Sequence, residues 1–345
     1  MHLLATLVLS AALTTLPATP LIETARGGQS LNFDLVLEND GETKLVIDQI
    51  EATVLDANGA MVTQRRVQGN GASILTIPRR EVEPHKKLVI FNPFHTFESD
   101  LALSSIRYDV TFEDGSKTSI TVAPKKYEQK TNLMLPVSGR VFVHDGHDFY
   151  SHHRRLDVTG DMTTALGINA NMTRYAYDFV LVDGKGSMHR GSGEENEEWY
   201  GWGSPILAPA DGVVVRAAGD RADSTKAKPV QLDFQSVLED LTLIFGNFAL
   251  IDHGNGEFSM LAHMKQGSVT LEPGDRVKRG QKVGEMGRSG DAMFPHLHYQ
   301  LQRDAHFGEG LPSYFRDYKR FTGASWVRVA LGQIDTGDVV ETTKR

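Results

Sequence analysis

Two histidines, His296 and His298, stand one residue apart in the run Pro295-His296-Leu297-His298-Tyr299-Gln300-Leu301. In an extended strand side chains alternate, so both imidazoles leave one face while Leu297, Tyr299 and Leu301 line the other. Imidazoles about 7 Å apart along a strand can share one metal ion, or one can bind it while the other addresses its water. The plainer reading is a pair of strand histidines with ordinary partners. The chain contains no cysteine, which excludes disulfides, thiol catalysis and Cys-containing zinc sites, so any metal must be held by His, Asp or Glu. A carboxylate is available in Arg174-Tyr175-Ala176-Tyr177-Asp178-Phe179. There the same alternation sets Arg174, Ala176 and Asp178 on one face and packs the aromatic residues behind them.

Positioning such groups requires a sheet, and the chain is written mostly in strands. From Leu31 to Val122 short alternating runs are separated by turn signals, with Leu31, Phe33, Leu35 and Leu37 on one face of the first. Asp114-Gly115 tolerates the positive φ angles of a tight hairpin. About six or seven strands in some ninety residues suggest an immunoglobulin-like sandwich. The polar, then turn-rich segment from Lys125 to Gly139 reads as a linker. Beyond it the runs around Val141, Phe179, Val214, Leu250, Leu261 and Leu297 read again as strands. One charged, glycine-rich loop, from Gly184 to Gly203, interrupts them. With Trp199, Tyr200 and Trp202 it either walls a groove or is a solvated insertion.

Residues 246–301 resemble the core of lysostaphin/LytM-type (M23) zinc metallopeptidases nearly end to end. The resemblance rests on Gly246-Asn247, His253-Gly254-Asn255-Gly256, Ala262-His263, Gly274-Asp275, Gly280-Gln281, Gly287-Arg288-Ser289-Gly290 and His296-Leu297-His298, in that order. Upstream, residues 204–215 match the family's Pro-x-x-Ala-x-x-Asp-Gly-x-Val stretch. The resemblance implies Zn2+ as cofactor, with His298 and Asp178 as metal ligands. It implies His263 and His296 as the catalytic histidines that polarise water or stabilise the oxyanion. His253, in a hairpin turn, is left out of this site.

The family's first ligand is a histidine four residues before the aspartate, where this chain has Arg174. A guanidinium stays protonated and offers no lone pair to a metal. Either the missing imidazole comes from His152 or His153, restoring a His2-Asp set with one open position, or the metal is lost and the groove only binds. Arg174 and Trp202 are then candidate substrate contacts. His144, His147 and Asp148 lie near and read as a polar loop, a supporting network or an additional metal site.

The remaining features bound the function. A formal net charge of −8 without a long basic run argues against a nucleic-acid partner. The apolar stretch from Leu3 to Leu16, followed by small residues and Pro, reads as an export signal, with a buried N-terminal strand or helix as the alternative. No second run is long enough to span a bilayer, so no membrane insertion of the mature chain is expected. The expected layout is a signal over residues 1–20, an Ig-like β-sandwich over 21–128, a metallopeptidase domain over 129–335 and a C-terminal tail over 336–345. Taken together, the expectation is a mainly β, periplasmic or secreted zinc endopeptidase acting on peptidoglycan cross-links or stems. The Ig-like domain would be available to a protein partner. The rival is an inactive LytM-type regulator of other wall hydrolases.

Overall fold

The computed structural model describes residues 11–68 and 79–342. The chain is mainly β and divides into two compact units: Met1–Tyr127 with Asp157–Gly160, and Glu128–Leu156 with Asp161–Arg345.

In the first unit, Ala11–Leu16, Asp34–Asn39 and Lys87–Phe91 form a three-stranded antiparallel sheet. A second sheet runs Lys117–Val122, Ser105–Phe112, Leu45–Leu55, Met61–Gln68. Leu31, Phe33, Leu35 and Leu37 are fully buried, as their alternation requires, and share one core with Ile47, Ile50, Tyr108 and Val110. The hairpin at Asp114-Gly115 closes as expected, with Gly115 at φ +83°. Of the stretch read as an export signal, residues 1–10 lie outside the described residues. The rest of that stretch, Ala11–Leu16, pairs along its length with Asp34–Asn39 and buries Leu13.

The second unit is built on one large sheet. Its main strands are β1 (Arg140–Asp145), β2 (Tyr177–Leu181), β3 (Gly212–Ala218), β4 (Asn247–Asp252), β5 (Phe258–Met264), β6 (Leu297–Gln302), β7 (Phe315–Phe321), β8 (Trp326–Gly332) and β9 (Val339–Thr342). Neighbours run β7-β9-β1-β2-β6-β5-β4-β3, with β8 on β7. The expected tail from 336 is therefore not a tail: β9 is hydrogen-bonded between β1 and β7. Four residues are too few for alternation to reveal such a strand.

Every residue of β2 and of β6 is buried, so both sheet faces are covered at the centre. Apolar side chains fill one side: Tyr177, Phe179, Tyr299 and Phe315 pack ring against ring. The polar residues gather on the other. Among the described residues no helix is long and apolar enough to cross a membrane.

Candidate metal centre

Strand register puts the polar groups in one row. Asp145 on β1 lies opposite Asp178 on β2, Asp178 opposite His298 on β6, and His298 opposite Ala262 on β5. Directly opposed residues point to the same face, a few ångströms apart. His296, two residues before His298, joins that face by alternation. His263 follows Ala262 and would point away, but its backbone turns left-handed, at φ +58°, and brings the ring back to within 4.8 Å of His296 and 5.7 Å of His298, centroid to centroid. A non-glycine residue in this region is strained, and such strain concentrates at working sites.

Asp178 is the hub. Its Oδ1 lies 3.1 Å from His153 Nε2, 3.2 Å from His298 Nδ1 and 3.5 Å from His296 Nε2. Burial alone would push this carboxyl up, but the surrounding imidazoles outweigh it and hold Asp178 well below the usual carboxylate range. Burial keeps His153 and His296 below the ordinary imidazole value, and His263 well below it, with His296 and His298 adding to the effect on His263.

Hydrogen bonds fix which nitrogen of each ring faces the hub. His263 Nδ1 donates to Ser289 O and His296 Nδ1 to Phe294 O, each at 2.8 Å, leaving both Nε2 atoms as lone-pair atoms toward the site. For His298 the polarity is set from a distance. Gln302 Nε2 donates to Asp304 O at 2.6 Å, Gln300 Nε2 donates to Gln302 Oε1 at 2.6 Å, and Gln300 Oε1 therefore accepts from His298 Nε2 at 2.9 Å. A backbone carbonyl only accepts, so each amide in the series has one possible orientation. His298 then presents its Nδ1 lone pair to a carboxylate oxygen 3.2 Å away, and two acceptors at that distance require a cation or a proton between them. His153 Nε2 is buried against the same oxygen, with no hydrogen-bond partner among the described residues. Asp178, His153 and His298 thus fit a divalent metal, as one carboxylate and two imidazoles.

Of the two histidines expected to replace the missing ligand, the fold brings His153 to the hub. It sits on the 3-10 turn His153–Arg155, whose carbonyls at His153 and Arg154 accept from the buried Asn171 Nδ2 at 3.0 and 3.2 Å. His152 points instead to Asp145, with Nδ1 2.6 Å from Oδ2. Asp145, absent from the sequence reading, also has His144 Nδ1 3.2 Å from the same oxygen.

Arg174 requires a correction. It was expected on the strand face of Asp178 as a substrate contact, but it lies in a turn before β2, fully buried, with its guanidinium paired to Glu309. The alternation fails because β2 begins only at Tyr177. Trp202 is half-buried, its ring 5.2 Å from Lys265 Nζ. The loop from 184 to 203 reaches the site through Trp199, which stacks on Phe294 at 5.2 Å, and Phe294 in turn lies 5.2 Å from His296. His253 stays apart, bonded to Asp211 O and Ser259 Oγ.

Residues 200–308 match peptidase family M23. This segment is an M23 peptidase domain. The resemblance read from the glycine turns and His-x-His is borne out, and the M23 segment contains His263, His296 and His298, while Asp145, His153 and Asp178 lie upstream of it. Among curated proteins, the chain is similar to the peptidoglycan DD-endopeptidase ShyA of Vibrio cholerae serotype O1, 30% identical over 99 residues, covering 29% of this chain and 17% of that one. The cell division protein DipM of Caulobacter vibrioides is 26% identical over 100 residues, 29% of this chain and 13% of that one. The aligned part is thus no more than a fifth of these relatives. Among solved structures, the catalytic domain of lysostaphin from Staphylococcus simulans is 15% identical, covering 51% of this chain and 88% of that one, with a TM-score of 0.27.

Proposed function

We propose that this protein is a zinc-dependent endopeptidase exported to act on peptide bonds of peptidoglycan. The convergence of Asp178, His153 and His298 on one point, beside the Nε2 atoms of His263 and His296, carries this reading. The family match, and the peptidoglycan DD-endopeptidase named among the relatives, supports the substrate class.

When bound, zinc supplies Lewis acidity toward water and toward a peptide carbonyl. Asp178, His153 and His298 would hold it, with Gln300 fixing the His298 tautomer. His263 and His296, neutral and desolvated, accept and return protons at Nε2 and donate to the oxyanion when protonated. Their Nδ1–H bonds to backbone carbonyls keep the rings aimed during that exchange. Trp199 and Phe294 offer an apolar wall for the substrate chain.

The test is digestion of purified peptidoglycan by zinc-loaded protein, with new amino termini counted. The expected result is release that disappears in His263→Ala and in His298→Ala. Release that persists in His263→Ala overturns the assignment. Binding of peptidoglycan without any release supports a non-enzymatic regulator instead.

A further inference from the structure

Asp145 and Asp178 are directly opposed across β1 and β2, each only 4% exposed. Like charges directly opposite are repelled, and burial raises the cost, so both must be compensated by neighbours. Asp178 has its compensation in His153, His296 and His298. Asp145 has a separate one, in His144 and His152, whose Nδ1 atoms close on a single oxygen at 3.2 and 2.6 Å.

Adjacent residues on a regular strand point to opposite faces, which would separate His144 from Asp145. The register of β1 against β2 slips between Val143 and Asp145, and this bulge lets the His144 ring and the Asp145 carboxylate meet. The polar face therefore carries two donor sets of the same composition side by side, Asp178 with His153 and His298, and Asp145 with His144 and His152. One ligand atom from each of Asp145, His152, His153 and Asp178 lies within 4.8 Å of all the others.

We propose that Asp145, His144 and His152 form a second divalent-metal site, so that the pocket binds two ions. The proposal rests on the reading of Asp178, His153 and His298 as the first site. One carboxylate and two imidazoles is a donor set that zinc accepts with a position left open. Asp145 is 6% exposed at its side chain, His144 37% and His152 66%, so the second site has its carboxylate at the bottom and its imidazoles at the mouth, with an entry path from solvent. A second ion beside the first would supply a further Lewis acid toward the attacking and departing atoms of a hydrolysis.

The experiment is titration of the chelator-stripped full chain with Zn2+ alone, read by calorimetry and by metal analysis after desalting. The wild type should take two equivalents. Asp145→Asn and His152→Ala should take one, and His298→Ala should keep the one at Asp145. Asp145→Asn is close to isosteric, and its circular dichroism separates lost metal from lost fold. Loading with Mn2+ gives an independent reading: a spin-coupled resonance in the wild type, replaced by an isolated-ion spectrum in Asp145→Asn. Saturation of the wild type at one equivalent, or two retained in Asp145→Asn, overturns the second site. One equivalent kept in His298→Ala and lost on adding Asp145→Asn upholds it even if peptidoglycan is never cleaved, so its fate is separable from that of the peptidase reading.

Discussion

Gln300 Oε1 lies 2.9 Å from His298 Nε2, and both side chains are buried. Because the amide series ends on the Asp304 carbonyl, Gln300 can only accept from that ring, and the lone pair of His298 is forced to Nδ1. Gln300→Leu removes the acceptor, so the imidazole loses its preference and zinc affinity should fall about 10–100-fold. Gln300→Glu keeps an acceptor for His298 but sets its second oxygen against the Gln302 Oε1 acceptor, so it should bind zinc better than Gln300→Leu and more weakly than the wild type. Imidazole 15N shifts of the metal-free protein read the tautomer directly. An unchanged Nε2–H signal from His298 in Gln300→Leu would sink the argument.

The turn that carries Arg174 makes a separable pair of predictions. Its guanidinium is fully buried against Glu309, and removing one partner of a buried pair leaves the other charge uncompensated. Arg174→Ala should therefore lower unfolding free energy by about 3–5 kcal/mol in urea denaturation. His153→Ala should do the opposite in kind, abolishing tight zinc binding with a smaller effect on stability. Arg174→His in the His153→Ala background should not restore binding, because residue 174 precedes β2 and sits with Glu309. Restoration would show that the family's usual ligand position is still in reach.

How much of this was legible beforehand follows from the range of each signal. His296 and His298 could be set on one face because alternation within a strand is a local property, while Asp178 was reached through the family resemblance. The family resemblance supplied His263, but not the left-handed backbone that turns it inward. Either His152 or His153 could be named as the replacement ligand, yet choosing between them needed Asn171, which pins the turn from eighteen residues away in the chain. Asp145 was invisible because its partner Asp178 is set by pairing of β1 with β2, and register between strands distant in sequence leaves no local mark. Arg174 was misplaced for a related reason: an alternating pattern does not say where a strand starts.

Trp199 stacks on Phe294 with the rings 6° from parallel, and Phe294 abuts His296. Stacked aromatic pairs contribute about 0.5–1.5 kcal/mol beyond their buried area. Trp199→Ala should loosen the wall beside His296 and raise KM several-fold on a soluble peptidoglycan peptide while leaving zinc content unchanged. A fall in zinc content equal to that of His153→Ala would mean the loop supports the metal ligands rather than the substrate.

Gly246 tests whether the aim of His263 matters apart from metal binding. Its φ of +60° disfavours any side chain, and an added Cβ would overlap Ser289. Ser289 O is the acceptor that orients His263 Nδ1, and Ser289 Oγ accepts from Asn247 N at 2.8 Å, so Ser289 cannot move without disturbing both. Gly246→Ala should therefore shift His263 while leaving Asp178, His153 and His298 in place. A displacement near 1 Å at a reacting group can cost about 100-fold in rate, so kcat should drop by one to two orders of magnitude with zinc stoichiometry unchanged. Single-turnover digestion alongside metal analysis measures both. Normal kcat in a folded Gly246→Ala protein would remove His263 from the proton-handling role given to it.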